Sequence, residues 1–165
     1  MIDHHTDLHI TILGIGNTLL TDEGIGIHIL NYLQHHFPNL PNTQYIDGGT
    51  LSFTLLPLIE TATHLIVVDA AEINQPAGCF HCWLDEQMDE FLQRPKRSVH
   101  EVSLIDLLGM LRLTERLPLK RALIGIQVET TGWGDNPSPQ VAAAIPRVVE
   151  EIFALLKTWD CVKGP

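Results

Sequence analysis

Basic residues are in short supply in this 165-residue chain. Ten Lys and Arg stand against 20 Asp and Glu, for a formal net charge of -10. Phosphate backbones and anionic lipid surfaces are held by basic faces, so this balance argues against nucleic acid or a membrane as partner. Long hydrophobic runs are also missing. No stretch reaches the roughly 18 apolar residues of a spanning helix, and no such helix is expected. The start, Met1-Ile-Asp-His-His-Thr-Asp7, lacks the basic region and apolar core of a secretory signal. Cysteine is limited to Cys79, Cys82 and Cys161. An odd number builds no disulfide framework, and a cytoplasmic protein with reduced thiols is the expectation.

What is present reads as one domain over residues 1–165, with residues 1–9 as an arm before the core. Ile10 to Ile15 is a short β-branched run entering a turn at Gly16-Asn17, the pattern of a buried strand. Ile25, Ile29, Leu30 and Leu33 then follow helical spacing from about Asp22 to His36, with Thr21 as the expected N-cap and Asp22 and Glu23 in the first turn. Tyr45-Ile46 and Leu65 to Val68 read as strands two and three, ending at Asp47 and Asp69. Between them Phe53, Leu55, Leu56 and Ile59 suggest a helix that Pro57 should kink or shorten. Gly78 to Leu84 is an antiparallel or edge-like strand, and Ala122 to Val128 the fifth. Val102, Ile105, Leu108 and Leu111 mark one helical face, and a helix over Val141 to Trp159 closes the chain after a Gly/Pro loop. Strands alternating with helices predict a three-layer α/β/α sandwich on a mostly parallel sheet.

The glycine-rich stretch after the first strand invites a nucleotide-binding reading, which its spacing rejects. A dinucleotide fingerprint needs a third glycine where Leu19 stands, and a P-loop needs a Gly-Lys pair the segment lacks. Asp22 and Glu23 would also repel a pyrophosphate. Carboxylates at the carboxyl ends of parallel strands suit a cation instead. Glu23, Asp47 and Asp69 recur at three such ends, although Asp47 before Gly48-Gly49 also has the pattern of a plain turn former. A histidine would complete a set that divalent transition metals accept. Nine His compete; His100 differs in opening a helix after a polar lead-in with Arg94, Lys96 and Arg97, but spacing alone does not single it out. Cys79-Phe-His-Cys82 has C-x-x-C spacing on a strand, where residues three apart face opposite sides, so packing thiols are expected rather than a redox pair.

Gly14-Ile-Gly-Asn-Thr-Leu-Leu-Thr-Asp-Glu-Gly-Ile-Gly26 resembles the amino-terminal signature of the nickel–iron hydrogenase maturation endopeptidases. The likeness continues through Asp47-Gly-Gly-Thr50, Val67-Val-Asp-Ala70, Ser98-Val-His-Glu-Val-Ser-Leu-Ile-Asp-Leu-Leu108, Leu123-Ile-Gly-Ile-Gln127 and Ser138-Pro139, in the family's order. The resemblance implies a five-stranded sheet between helices with one antiparallel strand. It implies removal of a carboxy-terminal extension from the precursor of the hydrogenase large subunit after nickel insertion. By the matching motifs, Glu23, Asp69 and His100 would bind the metal, which arrives with the precursor. Two carboxylates and an imidazole would read a nickel-bearing partner without stripping the ion.

The attacking group is not legible: no Gly-x-Ser-x-Gly or His-Glu-x-x-His occurs. A metal could polarise the carbonyl or activate water. Asp47 is a candidate helper, with Gly48 and Gly49 as backbone donors to an oxyanion. Two alternatives stay open at this level: a nickel-site-checking accessory protein that does not cut, and an enzyme using a small ligand in the same cleft.

Overall fold

The computed structural model describes residues 7–95 and 99–162. Most of the expected arm, with His4 and His5, and the Lys96-Arg97-Ser98 stretch lie outside the described residues. Strands β1 (Ile10–Gly14), β2 (Thr43–Asp47), β3 (His64–Ala71), β4 (Phe80–Leu84) and β5 (Lys120–Gln127) form one sheet in the order β2-β1-β3-β5-β4. All neighbours are parallel except β4, which pairs antiparallel with β5 at one edge.

The central strands are apolar on both faces because both faces are covered. Ile10, Ile12, Ile66, Val68, Ile124 and Ile126 meet α1 (Ile25–His36) and α6 (Ile145–Thr158) on one side. Leu13, Ile15, Leu65, Val67 and Leu123 meet α2 (Leu56–Ile59), α3 (Asp85–Leu92) and α4 (Val99–Leu113) on the other. Alternating residues of one strand thus feed two separate cores, and the three-layer sandwich follows.

Several elements depart from the sequence expectation. The first helix begins at Ile25, after a 3-10 turn over Thr21–Gly24. Thr21 does not cap it: its φ is 46°, and its hydroxyl donates to the Thr130 carbonyl at 2.8 Å. The closing helix is broken into α5 (Pro139–Ala142) and α6, because Pro146 has no N–H and its ring opposes the carbonyl four residues back. Pro57 likewise confines α2 to four residues behind a 3-10 turn at Phe53–Leu55. The α3 helix has no counterpart in the sequence reading, since only Met88 and Leu92 bury themselves along a polar octet.

In α4 the buried face is rotated from the expected one. Leu104, Leu107, Leu108 and Leu111 point inward, whereas Val102 is 44% exposed. Four residues before Leu104, on that same inward face, stands His100.

Candidate active site at the carboxyl edge of the sheet

The site is built where β1 stops and β3 does not. The last link between them is the Ile15 N–H to the Val68 carbonyl at 2.9 Å, so Asp69 is the first β3 residue past its neighbour's end. The chain leaving β1 turns sharply at Gly16, with φ 141°, where a Cβ would run into the Glu23 carbonyl. Gly26 rests directly on the Val68 and Ile15 carbonyls, leaving no room for any side chain. These glycines draw the 3-10 turn carrying Glu23 down onto β3, where its charge acts on His100.

Asp69 is buried, with 2% of its surface exposed. Its Oδ1 accepts from the Ala70 N–H at 2.8 Å and lies 3.8 Å from His100 Nδ1. Its Oδ2 has no hydrogen-bond partner among the described residues. Burial therefore pushes its pKa up to about 6, against the pull of His100 and the Ala70 N–H, and the nearby Glu101 charge adds to the rise. His100 is raised in turn, first by the facing Asp69 carboxylate; burial opposes, and the charges of Asp69, Glu23 and Glu101 add. Glu101 itself is buried against Arg94 at 2.9 Å, whose guanidinium stacks 3.5 Å above the Phe91 ring.

Of the expected ligands, Asp69 and His100 are thus in contact, and half-buried Glu23 is near enough for its charge to act on His100. Among the described residues, no three His, Cys, Asp or Glu groups converge tightly enough to hold a metal on their own. The arrangement is a buried pair with a third acid beside it, not a closed chelate. An unpartnered carboxylate oxygen and an imidazole are donors that a borderline transition metal accepts.

Asp47 belongs to the turn instead. It is exposed, and its Oδ1 accepts from the Gly49 N–H at 2.9 Å. The Gly48 N–H donates to the Gly14 carbonyl at 2.8 Å. Both amides expected to serve an oxyanion are therefore already engaged, and that expectation is corrected.

Asp22 was expected to favour the helix dipole. It is instead fully buried, accepting from the N–H groups of Glu129 (2.8 Å), Thr130 (3.0 Å) and Ser138 (2.6 Å) and from the Ser138 hydroxyl (2.9 Å). Burial works against its charge, but these donors outweigh it and hold the pKa below the ordinary value. Nothing in the local sequence separates this acid from Glu23 beside it. For His100 a signal did exist: the Leu104, Leu107, Leu108 and Leu111 stripe, read back one turn, lands on it. Cys79 and Cys82 are free, and burial pushes the Cys82 thiol up to about 12, an unreactive state.

A family model described as hydrogenase maturation protease matches residues 27–155. The chain belongs to that family. It is 34% identical over 152 residues to the hydrogenase 2 maturation protease of Escherichia coli K12, covering 91% of this chain and 92% of that one. Among solved structures it resembles the hydrogenase maturating endopeptidase HybD from E. coli, with a TM-score of 0.85 and 33% identity over 92% of this chain and 93% of that one. The [NiFe] hydrogenase maturation protease HybD from Thermococcus kodakarensis is similar at TM-score 0.78 and 26% identity, over 90% and 99% of the two chains. The hydrogenase maturation protease described here is therefore a peptide-bond hydrolase that processes a hydrogenase precursor. The five-stranded sheet with one antiparallel pair agrees with that of its relatives. No helix among the described residues is long and apolar enough to cross a membrane.

Proposed function

We propose that this protease removes the carboxy-terminal extension of the large-subunit precursor of a nickel–iron hydrogenase, and that it does so only after nickel is in place. The observation that carries the reading is the buried Asp69 oxygen without a partner, next to His100. A buried carboxylate left unsatisfied is costly, and it persists where a ligand completes it.

Nickel is the cargo of the substrate in this reading, held by the precursor's own ligands. Glu23, Asp69 and His100 dock on its open positions from the sheet edge. His100 must give up its proton to bind, and Asp69 must be ionised, so docking releases protons and weakens in acid. Specificity arises because a precursor lacking nickel offers no ligand to this recess. Docking brings the scissile peptide to the same edge, where the metal can polarise its carbonyl or activate the attacking water. Asp47 enters as organiser of the adjacent turn. The reaction is placed in the cytoplasm, with which the three free thiols agree.

The test is to mix the protease with large-subunit precursor, with and without nickel, and weigh the subunit by mass spectrometry. A loss of mass confined to the nickel-bearing sample is expected. Equal loss without nickel would remove the docking step, and no loss in either sample would return the accessory-protein reading. Normal cleavage by Asp69→Asn or His100→Ala would sink the assignment of the ligands.

A further inference from the structure

Trp133 is 86% exposed, more than any other large apolar side chain described, and it stands on the loop between β5 and α5. Single exposed hydrophobes are ordinary. What sets this one apart is its frame. The loop is fixed at its start by Asp22 accepting from Glu129 and Thr130, and at its end by Asp22 accepting from Ser138. It is also fixed in the middle: the Thr21 N–H donates to the Gly134 carbonyl at 2.8 Å, and the Gly134 N–H to the Leu19 carbonyl at 3.0 Å. Leu20 and Gly134 form a short parallel bridge. Leu19, 59% exposed, therefore stands across the backbone from Trp133, and Glu23 follows on the same segment.

The pair flanks the short segment that leads to Glu23, the acid whose charge reaches His100. Asp69 and His100 are only 2% and 8% exposed, so a protein substrate reaching them must seat on what surrounds them. A large aromatic held on a pre-fixed loop loses little freedom on binding, which is the property of an interface anchor.

We propose that Trp133, with Leu19 beside it, is the anchor on which the hydrogenase precursor seats, filling an apolar depression on the precursor next to its metal site. The inference rests on the precursor-processing reading above. Asp22 acts on it as a positioning residue, since its carboxylate fixes both ends of the loop that carries the indole.

The experiment compares cleavage of nickel-bearing precursor by wild type, Trp133→Ala and Trp133→Phe, with direct binding to the same precursor followed by rapid mixing ahead of cleavage. Trp133→Ala should raise KM about 10- to 100-fold, with the loss in KM rather than kcat, and Trp133→Phe should recover part of it. Binding measured in this way should weaken by the same factor. An unchanged KM and affinity overturn the anchor while leaving the proposed function standing. Trp133-dependent binding without cleavage by wild type removes the function and keeps the anchor. A wild-type dimer in sedimentation that Trp133→Ala dissolves also overturns the proposal, by assigning the indole to self-association.

Discussion

Two buried carboxylates lie at the same edge of the sheet and are treated in opposite ways. Asp22 accepts four hydrogen bonds and is held ionised, with its pKa depressed. Asp69 accepts one backbone bond, leaves an oxygen unpartnered, and has its pKa pushed to about 6. Both are shut off from solvent and the residue type is the same, but Asp69 lies deeper in the protein and is supplied with fewer donors. The satisfied acid holds the protein together. The unsatisfied one is the carboxylate that the proposed docking on nickel would complete.

Four substitutions break or sharpen that contrast. The largest effect is on activity: Asp69→Asn or His100→Ala should lower precursor cleavage by well over the roughly 10–100-fold typical for lost outer-shell partners of a metal site, read as kcat/KM. Their circular dichroism should remain that of wild type. Next, Asp22→Ala strands buried donors on the 129–138 segment and should cost about 3–4 kcal/mol in urea unfolding. Because a depressed pKa stabilises the fold only while the acid is ionised, wild type should lose that contribution as pH falls from 3.8 through the lowered folded value.

Asp69→Asn should move stability the other way. An acid raised from 3.8 to about 6 favours the fold most when protonated. Its contribution declines as pH climbs through that window and stays low above it. At pH 7 the neutral amide should therefore be more stable than wild type by about 2–3 kcal/mol, a gap that closes toward pH 4. A destabilised Asp69→Asn at pH 7 would mean the oxygen has a partner after all. The smallest effect belongs to the exposed acid. Asp47→Ala loses one turn hydrogen bond and should cost about 1 kcal/mol or less.

The sheet was legible because strands covered on both faces read as apolar runs, and Ile10, Leu65 and Ala122 opened theirs clearly. Asp69 and Glu23 were legible as acids at strand ends. His100 entered through family resemblance, since the helical face was taken from Val102 rather than Leu104. The α3 helix escaped because two buried residues in a polar octet are too few to show a period. Asp22 could not be read at all. Its partners stand 107 to 116 residues away, and local sequence carries no record of contacts made at that distance.

That distance also bears on the order in which the molecule comes together. Contacts so far apart in the chain close late, after the loop entropy between them has been lost. The Asp22 contacts need the segment beyond β5 in position, so they cannot form on an amino-terminal half that is still waiting for the rest. Until then the turn bearing Glu23 lacks the hydrogen bonds that tie it to the segment beyond β5. A chain that stops short of Ser138 consequently cannot complete that tie, however well its earlier strands have paired.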